Sequence, residues 1–83
     1  NGTTIVCIEN EPAILDGMKT LLMGWDARVI AALEPTSAIE AIANTEERIT
    51  GLLVDYHLDR GNGIGAIRDI RHRFGANIPA ILI

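Results

Sequence analysis

Aromatic side chains are nearly absent from this chain: Trp25, Tyr56 and Phe74 are the only three among 83 residues. A core built without them must rest on Ile, Leu, Val and Ala, which suits layers of strands and helices. The single cysteine, Cys7, excludes an internal disulfide and fits a reducing, cytoplasmic setting. Basic residues are few: Lys and Arg number 7 against 11 Asp and Glu, for a net charge of −4. The longest basic run is Arg71-His72-Arg73, too little for the basic face of a nucleic-acid binder, so no nucleic-acid partner is expected. No apolar stretch reaches the roughly 18 residues of a membrane span, and Thr3–Ile8 lacks the basic leader and cleavage pattern of a signal peptide. No membrane contact is expected from this chain. His57 and His72 lie far apart with no second ligand at metal spacing, which favours loop and helix-surface roles for both.

What is present is organised. With 48% apolar residues there is material for one core, although a chain this short buries only about 60% of its unfolded surface. Apolar runs at Thr4–Ile8, Ala27–Ala32, Ile49–Asp55 and Ile78–Ile83 predict four strands. The first, third and fourth are nearly continuous, as in strands covered on both faces of a parallel sheet. Helical spacing appears between them. Pro12 can start a helix carrying Ile14, Leu15, Met18, Leu21 and Leu22, with Gly24 as its stop. Pro35-Thr36-Ser37 opens a second, with Ala38, Ile39, Ala41 and Ile42. Asn62 or Gly63 opens a third, with the stripe Ile64, Ile67, Ile70 and Phe74, closed by Gly75. The order β-α-β-α-β-α-β predicts an α/β fold, a parallel sheet in three layers with helices on both faces. The chain opens on Asn1-Gly2 and closes inside the apolar run Ile81-Leu82-Ile83, so the expectation is a portion of a longer polypeptide. A fourth strand ending there would be an apolar sheet edge, and self-association through it is expected.

Open parallel sheets bind ligands just beyond the carboxyl ends of their strands. Strand one ends in Glu9-Asn10-Glu11 and strand three in Asp55, so carboxylate and amide oxygens should meet at one edge. Hard oxygen donors of this kind suit Mg²⁺. A carboxylate beside such a metal is a competent nucleophile toward phosphorus.

These residues also carry a family resemblance. Ile5-Val6-Cys7-Ile8-Glu9-Asn10-Glu11-Pro12 resembles the first strand and acidic corner of response-regulator receiver domains in two-component signalling. Leu52-Leu53-Val54-Asp55-Tyr56-His57-Leu58, followed by Gly63, resembles their phosphoacceptor strand and loop, and Ile78–Ile83 their fourth strand. Asp55-Tyr56-His57-Leu58-Asp59 with Gly61-Asn62-Gly63 is most similar to receivers of hybrid sensor histidine kinases. The resemblance implies a flavodoxin-like doubly wound topology, of which residues 1–83 would be the N-terminal portion, without the last strand and helices. It implies that Asp55 is the phosphoacceptor. It further implies that Mg²⁺ is held by Glu9, Asn10, Asp55 and the backbone carbonyl of His57, and that the donor is a histidine kinase or phosphotransfer domain. By this resemblance the domain is a phosphoacceptor rather than a stand-alone enzyme, and its parent is compatible with a sensor histidine kinase, tethered to a membrane or not. The sequence departs from the family at Asn10, where a second acid is usual, and at Asp59, where proline is common. It ends before the family's Ser or Thr after strand four and Lys after strand five. Asn10 brings no charge, so Mg²⁺ binding weaker than with Asp at that position is expected.

Competing readings are set by the same residues. Asp55 could instead pair with Arg60, and Glu11 could act only as a first-turn acid on the helix dipole. Gly61-Asn62-Gly63-Ile64-Gly65-Ala66 matches a dinucleotide fingerprint in form, but five residues separate it from the strand, and no acid ends the next one. A phosphatase with an aspartyl nucleophile would show a second Asp where His57 stands. A pseudo-receiver that only binds partners is the alternative that Asn10 supports. Cys7 is expected as a small core residue, Trp25 as a cover for the core edge, and Arg68, Arg71 and Arg73 as a solvated helix face.

Overall fold

The computed structural model describes residues 2–58 and 61–83. The expected Asp55–Arg60 pair and the loop position Asp59 lie outside the described residues. Seven elements alternate along the chain: β1 (Thr4–Ile8), α1 (Pro12–Met23), β2 (Arg28–Ala32), α2 (Pro35–Ala43), β3 (Gly51–Val54), α3 (Gly63–Phe74) and β4 (Ala80–Leu82). The strands form one sheet in the order β2-β1-β3-β4, all parallel. The α/β architecture read from the sequence is therefore the one observed.

Strand register sorts the side chains into two layers, because successive residues of a strand face opposite sides. Val6, Ile8, Leu52 and Val54 pack with Ala38 and Ile42 of α2 and Ala66, Ile67 and Ile70 of α3 in one buried cluster. The opposite face carries Cys7, Leu53 and Ile81, which are register partners across β1, β3 and β4. There α1 packs on β1 and β2 and buries Leu15. That placement leaves Leu53 half-buried and Ile81 63% exposed.

β1 has the expected bounds, and β2, β3 and β4 are shorter than expected. Pro79 has no N–H to give a ladder and offers its carbonyl to Leu52 N at 2.9 Å, so β4 starts only at Ala80. Before β3, the Thr50 hydroxyl accepts from Thr4 N and donates to Thr4 O, both at 2.8 Å. This pins the start of β1 while satisfying the buried backbone of Thr4. The expectation of a fourth strand covered on both faces is not met, since β4 is the sheet edge and its outer residues are exposed.

Three further expectations are corrected. Trp25 does not cover the core; it follows the C-cap Gly24 and is 69% exposed. The stripe of α3 runs through Gly63, Ala66, Ile67 and Ile70, with Ile64 and Phe74 on its exposed flanks. Arg71 is not simply solvated: its Nε donates to the carbonyl of Ile78 at 2.8 Å and ties the end of α3 to the approach to β4. Arg73 pairs with Asp69 on the helix surface at 3.1 Å.

Candidate functional site

Parallel pairing of β1 with β3 puts Ile8 opposite Val54, so the residues that follow, Glu9 and Asp55, emerge side by side at the carboxyl edge. The backbone fixes both. Glu9 N donates to Ala32 O at 3.1 Å, and Asp55 N donates to Ile8 O at 3.0 Å. Tyr56 N then donates to Ile83 O at 2.7 Å. The chain at Asp55 is thus held to β1 on one side and to the end of β4 on the other.

Glu9 is a charged side chain with only 4% of its surface exposed. Its Oε2 accepts the backbone N–H of Glu11 at 3.0 Å, next to the positive end of the α1 dipole, where a carboxylate is stabilised. Glu11 stands at the N-cap of α1 with no side-chain cap bond, and it is exposed. The helix-entry role expected for Glu11 is therefore shared: its own N–H is the anchor for Glu9. Asn10 is half-buried between them.

Asp55 is half-buried, and its Oδ1 accepts the N–H of His57 at 3.2 Å, an Asx turn that ties the carboxylate to the backbone of the turn. Tyr56 and His57 are exposed, their rings edge-to-face with centroids 4.9 Å apart. The turn is closed by α3. Gly63 N donates to Tyr56 O at 3.0 Å, and the N-cap Asn62 accepts from Gly65 N at 3.0 Å. Sequence reasoning missed how close this helix comes. A Cβ on Gly63 would lie 2.4 Å from Asp55 O and 2.5 Å from Leu82 Cδ1. The legible signals were a glycine at a helix start, where several residue types would serve, and the place of Gly63 in the resemblance to the phosphoacceptor loop.

The structure therefore brings Glu9, Asn10 and Asp55 to one edge, with His57 in the turn above. Among the described residues no three His, Cys, Asp or Glu side chains gather as a metal cluster. The donor set is two carboxylates and one amide, together with the main chain. Such all-oxygen chemistry fits a hard cation that keeps some of its waters. A groove of about 750 Å³ lies at the opposite, amino end of the sheet, with Ile49, Phe74 and Arg48 in its lining; neither Glu9 nor Asp55 borders it. Cys7, wholly buried under α1, has its thiol pushed up to about 11 by desolvation, and is the core residue expected.

The class this defines is a parallel α/β domain with paired carboxylates at the carboxyl ends of adjacent central strands. Comparison with known proteins narrows it. No family model matches the chain. It is 25% identical over 79 residues to the two-component response regulator ARR21 of Arabidopsis thaliana, covering 95% of this chain and 13% of that protein. Among solved structures, the chemotaxis response regulator CheY4 of Vibrio cholerae superposes with a TM-score of 0.86 at 12% identity, covering 99% of this chain and 68% of that one. The receiver domain of the hybrid histidine kinase CckA gives 0.82 at 24% identity, covering 95% and 72%. The MaeR response regulator bound to beryllium trifluoride gives 0.79 at 24% identity, covering 98% and 66%. The fold is that of the response-regulator receiver domain of two-component signalling.

Proposed function

We propose that this chain is the front portion of a receiver domain that accepts a phosphoryl group on Asp55. The observation that carries the reading is the pairing of buried Glu9 with half-buried Asp55 at the ends of β1 and β3. The donor is a phosphohistidine on a histidine kinase or phosphotransfer partner, in a cytoplasmic phosphorelay. An Asp55 carboxylate oxygen attacks phosphorus, the P–N bond breaks as the O–P bond forms, and the departing imidazole nitrogen takes a proton from solvent. Glu9, Asn10, Asp55 and the His57 carbonyl would hold Mg²⁺. When bound, the ion would offset charge on the phosphoryl oxygens and the repulsion between phosphoryl group and carboxylates. The chain's own contribution is positioning: the Asx turn ties the Asp55 carboxylate to the backbone of the turn, and the bonds to Ile8 and Ile83 hold its backbone.

If the polypeptide stops at Ile83, self-association through the β4 edge is the accompanying proposal, supported by the exposure of Ile81, Leu82 and Ile83; a monodisperse monomer in light scattering would remove it. The pseudo-receiver is the second reading, favoured by uncharged Asn10.

Intact-mass spectrometry after incubation with acetyl phosphate and Mg²⁺ tests the two. The first reading expects one added phosphoryl group, absent from Asp55→Asn. No addition, in a chain that extends past the family's Ser or Thr and Lys positions, favours the second. Because MaeR was obtained bound to beryllium trifluoride, that reagent is a useful second probe of Asp55.

A further inference from the structure

We infer that Gly63 is a positioning residue for Asp55: its bare Cα lets α3 seat directly on the Asp55 carbonyl and hold the acceptor in place. The inference rests on the reading of Asp55 as phosphoacceptor. Gly63 is buried at the first helical position of α3, directly after the N-cap Asn62. Its role is space rather than conformational freedom, since among the described glycines only Gly61, at φ 78, lies in the left-handed region.

A Cβ at position 63 would meet Asp55 O at 2.4 Å, Leu82 Cδ1 at 2.5 Å and Asp55 C at 3.0 Å. These neighbours differ in how they can respond. Leu82 is 39% exposed, so its methyl can turn away. The Asp55 carbonyl is main chain, fixed by Asp55 N to Ile8 O and by Tyr56 N to Ile83 O. A methyl at 63 must therefore either lift α3 or push the main chain that carries the acceptor. The Gly63 N–H holds Tyr56 O at 3.0 Å, so lifting α3 also pulls on the residue after Asp55. Relieving the 2.4 Å contact takes about 1 Å, divided between α3 and the main chain at Asp55, and a misplacement of that order can lower a rate about 10²-fold. Gly65 supplies the control on the same turn, because a Cβ there meets nothing closer than Asn62 Oδ1 at 3.8 Å.

The test compares wild type, Gly63→Ala, Gly65→Ala and Gly63→Ala/Leu82→Ala. Phosphoryl gain from acetyl phosphate is followed by intact mass, the fold by circular dichroism, and the Asp55, Tyr56 and His57 amides by two-dimensional NMR. The expected result is that Gly63→Ala stays folded, shifts those amides and takes up phosphoryl about 10²-fold more slowly. Gly65→Ala should match wild type, and removing Leu82 should not restore the rate. A wild-type rate in folded Gly63→Ala would overturn the inference, as would rescue by Leu82→Ala. So would loss of the fold in both Gly63 variants, which would make the residue purely structural. Should wild type itself take up no phosphoryl group in a chain that carries the family's Ser or Thr and Lys positions, the acceptor reading falls, and the amide shifts still decide whether Gly63 positions Asp55.

Discussion

Replacing Asn10 with Asp probes the candidate metal corner with almost no change of shape. It adds one unit of negative charge beside Glu9 and Asp55. Two unit charges 4 Å apart interact by about 1 kcal/mol in water, so a divalent ion gains about 2 kcal/mol at that distance. Asn10 is half-buried, and desolvation of the new carboxylate takes back part of this. A net gain of about 1–2 kcal/mol remains, or about five- to thirtyfold in the Mg²⁺ Kd at 1.4 kcal/mol per tenfold. In chelator the sign reverses. Three carboxylates then crowd one edge, and repulsion of about 1 kcal/mol lowers Tm by about 4–8 °C for a domain of this size. Saturating Mg²⁺ should recover this and exceed it, since ligand at about 100 times Kd adds about 2.7 kcal/mol. Calorimetric titration and melts with and without Mg²⁺ read both halves. A lower Tm in chelator with no steeper response to Mg²⁺ would refute the assignment of position 10 as a ligand.

Other parts of the structure make independent predictions. Ile70 is 0% exposed at the centre of the cluster, so Ile70→Ala should cost about 2–5 kcal/mol in urea unfolding; a loss under about 1 kcal/mol would mean the core collapses around it. Asn62→Ala removes the cap bond to Gly65 and should cost about 1 kcal/mol, while Asn62→Asp should retain most of it. Burial raises the Cys7 thiol from 9.0 to about 11, so the folded state favours the protonated form. Its contribution to stability is complete below the unfolded value and is lost as pH climbs from about 9 toward 11. Urea midpoints of wild type against Cys7→Ala should diverge across that window, and parallel curves would contradict it.

Much of this was legible in the sequence because period and punctuation agree. The run Ile5 to Ile8, ending in Glu9, fixes both a buried strand and what emerges from it. The pair Asn62 and Gly63 marks a helix start. What sequence could not supply was depth. Large apolar residues drew the expected stripe of α3 toward Ile64 and Phe74, yet close approach to the sheet selects the smaller Gly63 and Ala66. Trp25 was expected over the core edge from its place after Gly24 at a helix end, yet it stands 69% exposed. The site was visible as a set of oxygen atoms. The reciprocal bonding of Thr4 with Thr50, 46 residues away, depends on neighbours brought together by folding, which no spacing rule encodes.

The double tether at Asp55 divides two adjacent peptide groups between different fates. The Asp55 amide is bonded to Ile8, in a central strand, whereas the Tyr56 amide is bonded to Ile83, just past the edge strand β4. Hydrogen exchange follows the least costly opening that frees each amide. Asp55 should then exchange only with global unfolding, and Tyr56 whenever the β4 side opens. Asp55 thus stands on a seam between the slower and the faster parts of the described sheet, so whatever docks on or steadies β4 would be registered one peptide bond away from its carboxylate.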